Sequence, residues 1–435
     1  MIVVVGGGAA GAAAAFTLRS AGHEVVLLEA AADVGGRTST VHRDGFRVEA
    51  GAIYMLNSYS HCVRLLQEAG QADQLRRWSP TTALWDGTTA HRVRYDFLPT
   101  FLTLPLLTWR DKARLLVAMA KAVVRPAPDP FETDSLARFD RGETMEDWSR
   151  AAFGDRGFEY VVRPLIEPSF GSWCRQLSVP YLQGILKRAY KARFFVLRDG
   201  VGFLARALTA DVDVRLGMRV ERVERAGTGF EITVGDGSTL RASSVVLAVD
   251  APTAAEVAEP VLGPDIASSL RAAPYASMAH VSLRWHEDPW PDRDEEMLLP
   301  VGEGPRDALG YIVRSSRTSD SVPRGAKSVD VYFSHDFTRV ADDATVAKAA
   351  LAGIREICGT SPEPDASEVF RFDRALGICP PGHYAAMAAL RRDVPHGIEL
   401  AGDYLAHLGI ETAVVSGERA AQAVLAFEGG RRSAV

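Results

Sequence analysis

Three glycines near the start of the chain, Gly6, Gly8 and Gly11, have the spacing GxGxxG. They follow the apolar run Ile2–Val5 and precede an alanine-rich stretch, which predicts a strand, a tight turn and a helix in that order. In such a turn the first glycine allows the bend, the second lets the backbone approach a pyrophosphate, and the third lets helix and strand pack closely. Because the helix N-terminus then faces the anion, the pattern predicts a dinucleotide site.

Glu29 stands at the end of a second apolar run, Val25–Leu28, 21 residues after Gly8. A carboxylate at this place can accept hydrogen bonds from both hydroxyls of an adenosine ribose. It therefore favours a dinucleotide whose ribose carries no 2′-phosphate.

Gly35 and Gly36 form a second glycine pair and are followed by Arg37. A guanidinium can bind phosphate oxygens with two parallel hydrogen bonds, and a nicotinamide dinucleotide does not require it. Further on, Gly51 and Ala52 lie in a run of small residues that would let the backbone pass close to an isoalloxazine ring. A pair of surface turns is the alternative interpretation.

These motifs resemble the start of the flavin-containing amine oxidase superfamily, which includes monoamine oxidases, protoporphyrinogen oxidases and phytoene desaturases. Residues 400–403 followed by residues 409–421 resemble the C-terminal flavin signature of that family. The resemblance implies FAD, with its ribityl and pyrophosphate region at Asp403 and its N1 and C2 carbonyl facing a helix that begins near Thr412. A helix N-terminus there would stabilise negative charge on the reduced flavin. Since the family's cysteine for covalent attachment is absent, we expect non-covalent FAD.

A middle segment resembles the strands that flank the adenine in the family. It comprises residues 214–223, a turn predicted at residues 235–238, and residues 242–249. The resemblance places the backbone of Val220 against the adenine. The cofactor-binding residues expected from the motifs and the resemblance together are Gly6, Gly8, Ala9, Ala10, Gly11, Glu29, Ala30, Gly35, Gly36, Arg37, Gly51, Ala52, Val220, Gly402, Asp403, Ile410 and Thr412.

A second glycine pattern, GxGxxA at residues 200–205, follows the strand-like run 194–197. It could belong to a further, NADPH-binding site. Against this, Arg198 and Asp199 separate the run from the glycines, and no complete βαβ unit follows. In the family this place holds a glycine-led helix of the FAD fold, which is the assignment that we expect.

The resemblance predicts an α/β fold with two domains. A discontinuous, Rossmann-like FAD-binding domain would be assembled from residues 1–55, 196–260 and 396–435. An α+β substrate-binding domain would comprise residues 56–195 and 261–395.

Many amine oxidases of the family have a lysine on a substrate-domain strand, where it holds a water near flavin N5. Aligning residues 274–290 with that strand puts His280 in its place, and none of the chain's six lysines lies in this segment. Side-chain alternation groups His280 with Met278 and Ser282 on the face that we expect towards the flavin. A histidine can exchange protons near neutral pH, so His280 is the candidate catalytic residue. A hydrogen-bonded structural histidine is an equally weighted alternative.

Five other positions bear on the reaction. The resemblance puts Gly409 where amine oxidases have an aromatic cage residue. This departure argues against the interpretation of the chain as a simple amine oxidase. Tyr54, Tyr332, Tyr384 and His407 are aromatic residues that either line a cavity or pack in the core, and packing is the more common role.

The nearer resemblance, through residues 164–179, is to the protoporphyrinogen oxidase and desaturase branch. It implies an FAD-dependent oxidoreductase that removes a hydride and a proton from a largely apolar small molecule, with cyclic compounds among the candidates, to form C=C or C=N. Oxygen or a separate acceptor would take the electrons. An amine oxidase with a reorganised cage, a flavin isomerase and a non-catalytic flavin-binding protein remain alternatives.

Composition limits the other classes of function. The 435 residues carry a formal net charge of -6, which disfavours nonspecific binding to nucleic acid. Four cysteines without CxxC spacing are expected to be buried free thiols rather than disulfides or metal ligands. We find no signal peptide and no spanning apolar run, and expect a cytoplasmic protein. The amphipathic segment 110–124 is expected to be a lid or core helix, with membrane attachment as the alternative.

Overall fold

A computed structural model describes residues 1–95, 97–170, 175–189, 192–302 and 306–433. The strands are β1 (Ile2–Val5), β2 (Val25–Leu28), β3 (Thr40–Arg43), β4 (Phe46–Glu49), β5 (Met55–Leu56), β6 (Leu75–Trp78), β7 (Thr82–Trp85), β8 (Ala90–Val93), β9 (Phe194–Leu197), β10 (Asp213–Arg215), β11 (Val220–Ala226), β12 (Gly229–Val234), β13 (Thr239–Ala242), β14 (Ser244–Leu247), β15 (Tyr275–Trp285), β16 (Met297–Pro300), β17 (Ala308–Ser315), β18 (Lys327–Phe333), β19 (Ala366–Gly377) and β20 (Ile398–Leu400).

The helices lie between these strands, and a π-helical turn, Phe158–Val162, joins α6 to α7. The α-helices are α1 (Ala9–Ser20), α2 (Ser60–Glu68), α3 (Trp109–Val124), α4 (Thr133–Phe139), α5 (Met145–Phe153), α6 (Asp155–Gly157), α7 (Arg163–Phe170), α8 (Pro180–Ala189), α9 (Phe203–Leu208), α10 (Ala251–Leu262), α11 (Pro264–Arg271), α12 (His335–Val340), α13 (Asp343–Cys358), α14 (His383–Asp393) and α15 (Ile410–Ser433).

A parallel sheet has the strand order β10-β2-β1-β14-β20. Strands β1, β2 and β14 are short runs that are buried along their whole length, as is typical of a parallel sheet covered on both faces. Alternate residues of β1 pack under α1 and α15 on one face and against α10 on the other. The carboxyl ends of β1 and β2 therefore bring Gly6 and Glu29 to the same edge. The predicted α/β fold class is confirmed.

A second sheet has the order β19-β15-β18-β17-β16-β7-β8, antiparallel except between β16 and β7. Strand β15, which lies between β19 and β18, has the predicted alternation. Ala279, Val281 and Leu283 join the apolar core against α13, whereas Met278 and His280 face a cavity on the other side. The period of two thus decides which side chains of this strand reach the cavity.

Two predictions about smaller segments are met. Strands β12 and β13 pair antiparallel, and Gly237 N donates to Val234 O at 2.8 Å in the predicted turn. The strand before the second glycine pattern, β9, pairs antiparallel with β5 and β6 and is not part of the parallel sheet. The second pattern therefore does not begin a parallel βαβ unit.

Of the predicted buried thiols, Cys62 and Cys379 are free and buried, whereas Cys358 is free but only half-buried. Cys174 lies outside the described residues, as does the rest of 171–174 within the segment 164–179. Within the described ranges, no helix combines the length and the apolar character needed to cross a bilayer.

Candidate active site

A cavity of about 1110 Å³ extends from the glycine turn after β1 to helices α3, α5 and α8. This volume exceeds the roughly 300–1,000 Å³ of a typical small-molecule site. Thirteen predicted cofactor-binding residues line it, namely Gly6, Gly8, Ala9, Ala10, Glu29, Gly35, Gly36, Arg37, Gly51, Ala52, Gly402, Asp403 and Ile410. Four others, Gly11, Ala30, Val220 and Thr412, are outside the lining, although Ala31 and Arg219, beside two of them, line the cavity.

The three glycines of the first turn meet three different surroundings. Gly6 has a φ of +101°, and a Cβ there would lie 2.6 Å from the carbonyl oxygen of Ala248. A Cβ on Gly11 would lie 1.9 Å from the carbonyl oxygen of Gly6, so this glycine allows helix and strand to touch. A Cβ on Gly8 would meet no described atom within 4 Å and would point into open space. These surroundings match the predicted roles of bend, close packing and ligand approach.

The carboxylate of Glu29 is held by the backbone around it. Gly7 N donates to Oε2 at 2.6 Å and Ala31 N donates to Oε1 at 2.7 Å. Each carboxylate oxygen retains further acceptor capacity, and the residue lines the cavity. The geometry therefore leaves Glu29 able to accept two hydroxyl donors.

Arg37 forms a two-fold ion pair with Asp403. Its Nη2 donates to Oδ1 at 2.7 Å and its Nη1 to Oδ2 at 3.1 Å, while Nη1 also donates to the carbonyl of Ala375 at 3.0 Å. Burial alone would lower the pKa of Arg37. The Asp403 carboxylate has the opposite effect, and the pKa is raised above its usual value. The sequence predicted that this guanidinium binds phosphate oxygens. In the structure its two parallel hydrogen bonds go to the carboxylate of Asp403. Arg37 therefore links the second glycine pair to the turn after β20.

Helix α15 points its N-terminus at the cavity. It begins at Ile410, two residues before the predicted start, and Gly409, Ile410 and Ala413 line the cavity. The first N–H groups of a helix have no partner within it and carry partial positive charge. Thr412 itself is only 1% exposed. This end of the cavity thus favours negative charge.

The second glycine turn is occupied by the protein itself. Glu49 accepts hydrogen bonds from Val201 N at 3.2 Å and from the Thr40 hydroxyl at 2.6 Å, and Gly202 N donates to that hydroxyl at 2.9 Å. A Cβ on Gly200 would lie 2.4 Å from a Thr40 methyl carbon. A carboxylate and a hydroxyl therefore take the donors that a nucleotide phosphate would need.

His280 is buried on the cavity wall, where it is 2% exposed. Its ring lies between those of Tyr332 and Phe370, with centroid distances of 4.7 and 4.9 Å. Neither ring nitrogen has a hydrogen-bond partner among the described residues. The imidazole is therefore held in place by stacking while its nitrogens stay available.

A buried carboxylate lies beside His280, with Nε2 of the histidine 3.7 Å from Oδ1 of Asp330. The other oxygen of Asp330 accepts a hydrogen bond from Arg314. Burial acts to raise the pKa of Asp330, but the Arg314 guanidinium and His280 hold it at about 2. Asp330 is therefore ionised at neutral pH beside the cavity.

The sequence matches the family described as flavin-containing amine oxidoreductase over residues 9–425. The chain belongs to this family. A coproporphyrinogen III oxidase of Propionibacterium freudenreichii subsp. freudenreichii is 24% identical over 434 aligned positions, covering 85% of this chain and 79% of that protein. The predicted family membership is confirmed, and the protein is an FAD-dependent oxidoreductase.

Solved structures share the fold over nearly the whole chain. A protein of Exiguobacterium sp. 255-15 assigned as a protoporphyrinogen oxidase superposes with a TM-score of 0.78 at 20% identity, covering 97% of this chain and 98% of that one. Cyclohexylamine oxidase from Brevibacterium oxydans IH-35A gives a TM-score of 0.73 at 18% identity, with the same coverage. At these identities the likeness concerns the fold alone.

The polar end of the cavity fits the flavin that this family binds. Open space faces Gly8, two helix N-termini (α1 and α15) border the cavity, and Glu29 lies at its far edge. Unpaired N–H groups and helix termini are suited to a pyrophosphate and to negative charge on a flavin ring.

The other end of the cavity is apolar. Its walls come from α3, α5, α7 and α8 together with β9. Representative lining side chains are Phe101, Leu115, Phe153, Ile166, Leu186 and Phe194. Such a wall excludes water and accepts apolar surface.

Of the four aromatic residues considered from the sequence, two line the cavity and two do not. Tyr54 and Tyr332 line the cavity. Tyr384 and His407 are buried behind it, where the Tyr384 hydroxyl and His407 Nδ1 are 2.9 Å apart. Tyr181, a lining residue that the sequence did not single out, stacks on His407 at 3.7 Å.

Asp330 and Arg314 were also not found from the sequence. Their one sequence signal is a carboxylate within the apolar second half of β18, residues 329–333, because a buried acid requires a partner. That signal does not identify the partner.

Proposed function

We propose that this protein is an FAD-dependent oxidase or dehydrogenase that removes a hydride and a proton from a largely apolar small molecule, forming C=C or C=N. Bound FAD, held without a covalent link, supplies the hydride acceptor. The observation that carries the proposal is the position of His280. Among the described residues that line the cavity it is the only histidine, and it is buried with both ring nitrogens available.

In this proposal residues 1–55, 196–260 and 396–435 form the FAD-binding part and the remaining residues form the substrate-binding part. Glu29 binds the adenosine ribose. The N-terminus of α1 faces the pyrophosphate and that of α15 faces the flavin ring. These roles are supported by the open space at Gly8 and by the helix termini along the cavity.

The substrate class is proposed from the apolar end of the cavity. Phe101, Phe153 and Phe194 lie in its wall with aliphatic side chains from four helices. Burying apolar surface contributes about 25 cal/mol per Å², so this wall selects substrates whose reacting carbon is part of a largely apolar skeleton. At Gly409, where the resemblance expects an aromatic cage residue, the chain has no side chain at all.

His280 is proposed to accept the substrate proton. Its imidazole has a free lone pair at neutral charge, and the Asp330 carboxylate at 3.7 Å stabilises the cation that forms. Tyr332 and Phe370 stack on the two faces of the ring and prevent it from rotating. Tyr332 also donates to the Gly51 carbonyl at 3.4 Å, which ties this site to the loop expected beside the flavin.

The test is anaerobic flavin reduction in His280→Ala, measured by bleaching across a panel of cyclic and open-chain compounds with CH–CH or CH–NH groups. We expect the variant to keep FAD and fold while reduction by an active compound slows about 100-fold or more. Val281→Ala is the matched control, because Val281 is the next residue of β15 and its buried side chain packs in the core on the side away from the cavity. Equal reduction rates in His280→Ala and wild type would contradict the role of His280.

The same panel separates the alternatives. Hydrogen peroxide release with amines but not with other compounds would indicate an amine oxidase. Flavin that is bound but never bleached by any compound would indicate a non-catalytic flavin-binding protein. Reoxidation of the bleached enzyme by air, compared with that by an added quinone, identifies the class of electron acceptor.

A further inference from the structure

Helix α3 has two apolar faces with different surroundings. On the inner face, Leu115 and Ala118 are buried, and Leu115 and Met119 line the cavity. This agrees with the prediction that the segment is a helix beside the substrate. The inner face accounts for only part of the helix's apolar side chains.

The outer face of α3 carries a group of exposed apolar side chains. Trp109 is 74% exposed, Leu116 55%, Val117 52% and Val124 78%, and Val123 is also exposed. With 3.6 residues per turn, these five side chains project within an arc of about 120°. The rest of the described chain exposes large apolar residues only singly, as at Val340. A contiguous apolar patch of this kind marks an interaction surface.

Cations flank this patch. With the same helical spacing, Arg110, Arg114 and Lys121 fall along one edge of the arc and Lys112 along the other. The one acid of the helix, Asp111, is buried and accepts a hydrogen bond from the backbone N–H of Thr108 at 2.9 Å. A chain with a net charge of -6 therefore presents a locally basic, apolar surface here.

We propose that the outer face of α3 docks on an anionic lipid surface, with Trp109, Leu116 and Val124 in the headgroup–acyl boundary and the flanking cations against lipid phosphates. An apolar stripe with lysine and arginine beside it and tryptophan at one end is the pattern of an interfacial helix. A second copy of the chain fits less well, because a two-fold contact through this face would bring the same cations together. The surface of a cytoplasmic leaflet carries the complementary negative charge.

The docking proposed for this surface does not depend on the reaction proposed for the cavity. Docking would, however, place the cavity close to the lipid. A helix with its side chains is about 10 Å across, so docking would hold the cavity wall at Leu115 and Met119 within that distance of the lipid.

The experiment is co-sedimentation of the holoenzyme with phosphatidylcholine vesicles that contain or lack phosphatidylglycerol. We expect binding to be on the order of 100-fold tighter with the anionic lipid, and to weaken with salt. Leu116→Asp with Val124→Asp should abolish it. Val340→Asp with Ala344→Asp is the matched control, since it adds the same charge at exposed apolar positions elsewhere and should bind within a few-fold of wild type, the margin expected for a change in net charge alone.

Two further measurements make the result decisive. Brominated lipids should quench the tryptophan emission of wild type and do so much less in Trp109→Phe, which places that side chain at the bilayer. Thermal unfolding and FAD content should be equal in both double variants. The proposal is overturned if the holoenzyme ignores anionic vesicles, if both double variants lose binding equally, or if the α3 variant instead dissociates a dimer in sedimentation velocity.

Discussion

Replacing Asp330 with asparagine removes the carboxylate charge that lies beside the His280 ring. At a separation of 3.7 Å and an effective dielectric constant near 20, a carboxylate attracts an imidazolium by about 4 kcal/mol. Arg314, on the other oxygen of Asp330, offsets part of this attraction. We therefore expect a realised loss of about 1.4–2.8 kcal/mol, which is a 10- to 100-fold slower proton transfer.

The assay is the rate of anaerobic flavin reduction at saturating substrate, measured per bound FAD. Without the carboxylate, the cation that forms on His280 as it takes the proton is less stable, so this rate should fall in Asp330→Asn. The pKa of Asp330, at about 2, keeps the wild-type carboxylate ionised from about pH 5 to pH 9, so the two proteins can be compared at any pH in that range.

The comparison of Asp330→Asn with wild type requires that the other ionisable groups near His280 keep the same charge. Tyr332 stacks on the ring, Arg314 pairs with Asp330, and Glu49 lies near Arg314. Burial raises the pKa of Tyr332 well above its usual value of about 10. The single variant leaves Arg314 buried without its partner, which costs about 3–5 kcal/mol of stability. Asp330→Asn with Arg314→Met removes both charges and should recover much of that stability without restoring the rate.

The outcomes are distinct. A purely structural role for Asp330 predicts a lower melting temperature and less bound FAD, an unchanged reduction rate per bound FAD in Asp330→Asn, and full recovery of stability in the double variant. That result would refute the assignment of Asp330 as the residue that stabilises protonated His280.

Four other predictions concern the cofactor and the fold. Glu29→Ala should weaken FAD binding about 100-fold, because two hydrogen bonds to a charged acceptor are lost, and Gly8→Val should abolish it by filling the open space at the pyrophosphate; both are measured by flavin fluorescence on titration. Heat or acid denaturation should release all of the yellow chromophore, and flavin that stays with the precipitated chain would exclude non-covalent binding. NADH and NADPH should not bleach the flavin anaerobically, because the donors of residues 200–205 are already bound within the protein. Burial raises the pKa of Glu399 to about 7 against the opposing effect of Arg391, so ionisation of this acid destabilises the folded state as pH rises from about 4.3 to 7. Glu399→Gln should therefore raise the melting temperature at pH 8 and have little effect at pH 4, and equal shifts at both would contradict this.

Local sequence predicts those parts of the site that are built from neighbouring residues. The turn after β1 and the acid after β2 belong to one short βαβ segment, so spacing alone placed Gly8 and Glu29. The period of two along β15 put His280 and Met278 on one face, and the resemblance to the family indicated that this face meets the flavin. The strands on either side of α1 followed from their short apolar runs, whereas the α/β class came from the resemblance.

The partners across strands could not be predicted. Asp330 and Phe370 reach His280 only through the pairing of β15 with β18 and β19, and a shift of one residue in either register would turn these side chains away. Arg37 is a similar case, because the carboxylate that binds it is 366 residues away in the chain. An arginine at this position predicts an anionic partner, but only the tertiary structure shows that the partner is Asp403.

The two glycine patterns show that the ability of such a motif to bind a nucleotide depends on which atoms lie against its turn. Both contain a GxG step before a helix, and both present backbone N–H groups at a turn. At Gly8 a side chain would meet nothing within 4 Å, so the donors of the first turn face space that a ligand can enter. At the second turn Thr40, on β3, lies against Gly200 and accepts a hydrogen bond from Gly202 N, and Glu49, on β4, accepts one from Val201 N. A buried carboxylate is a permanent substitute for phosphate, so a nucleotide could bind there only if β3 and β4 separated from the turn. These two strands also pack against Phe370, the side chain that stacks on His280.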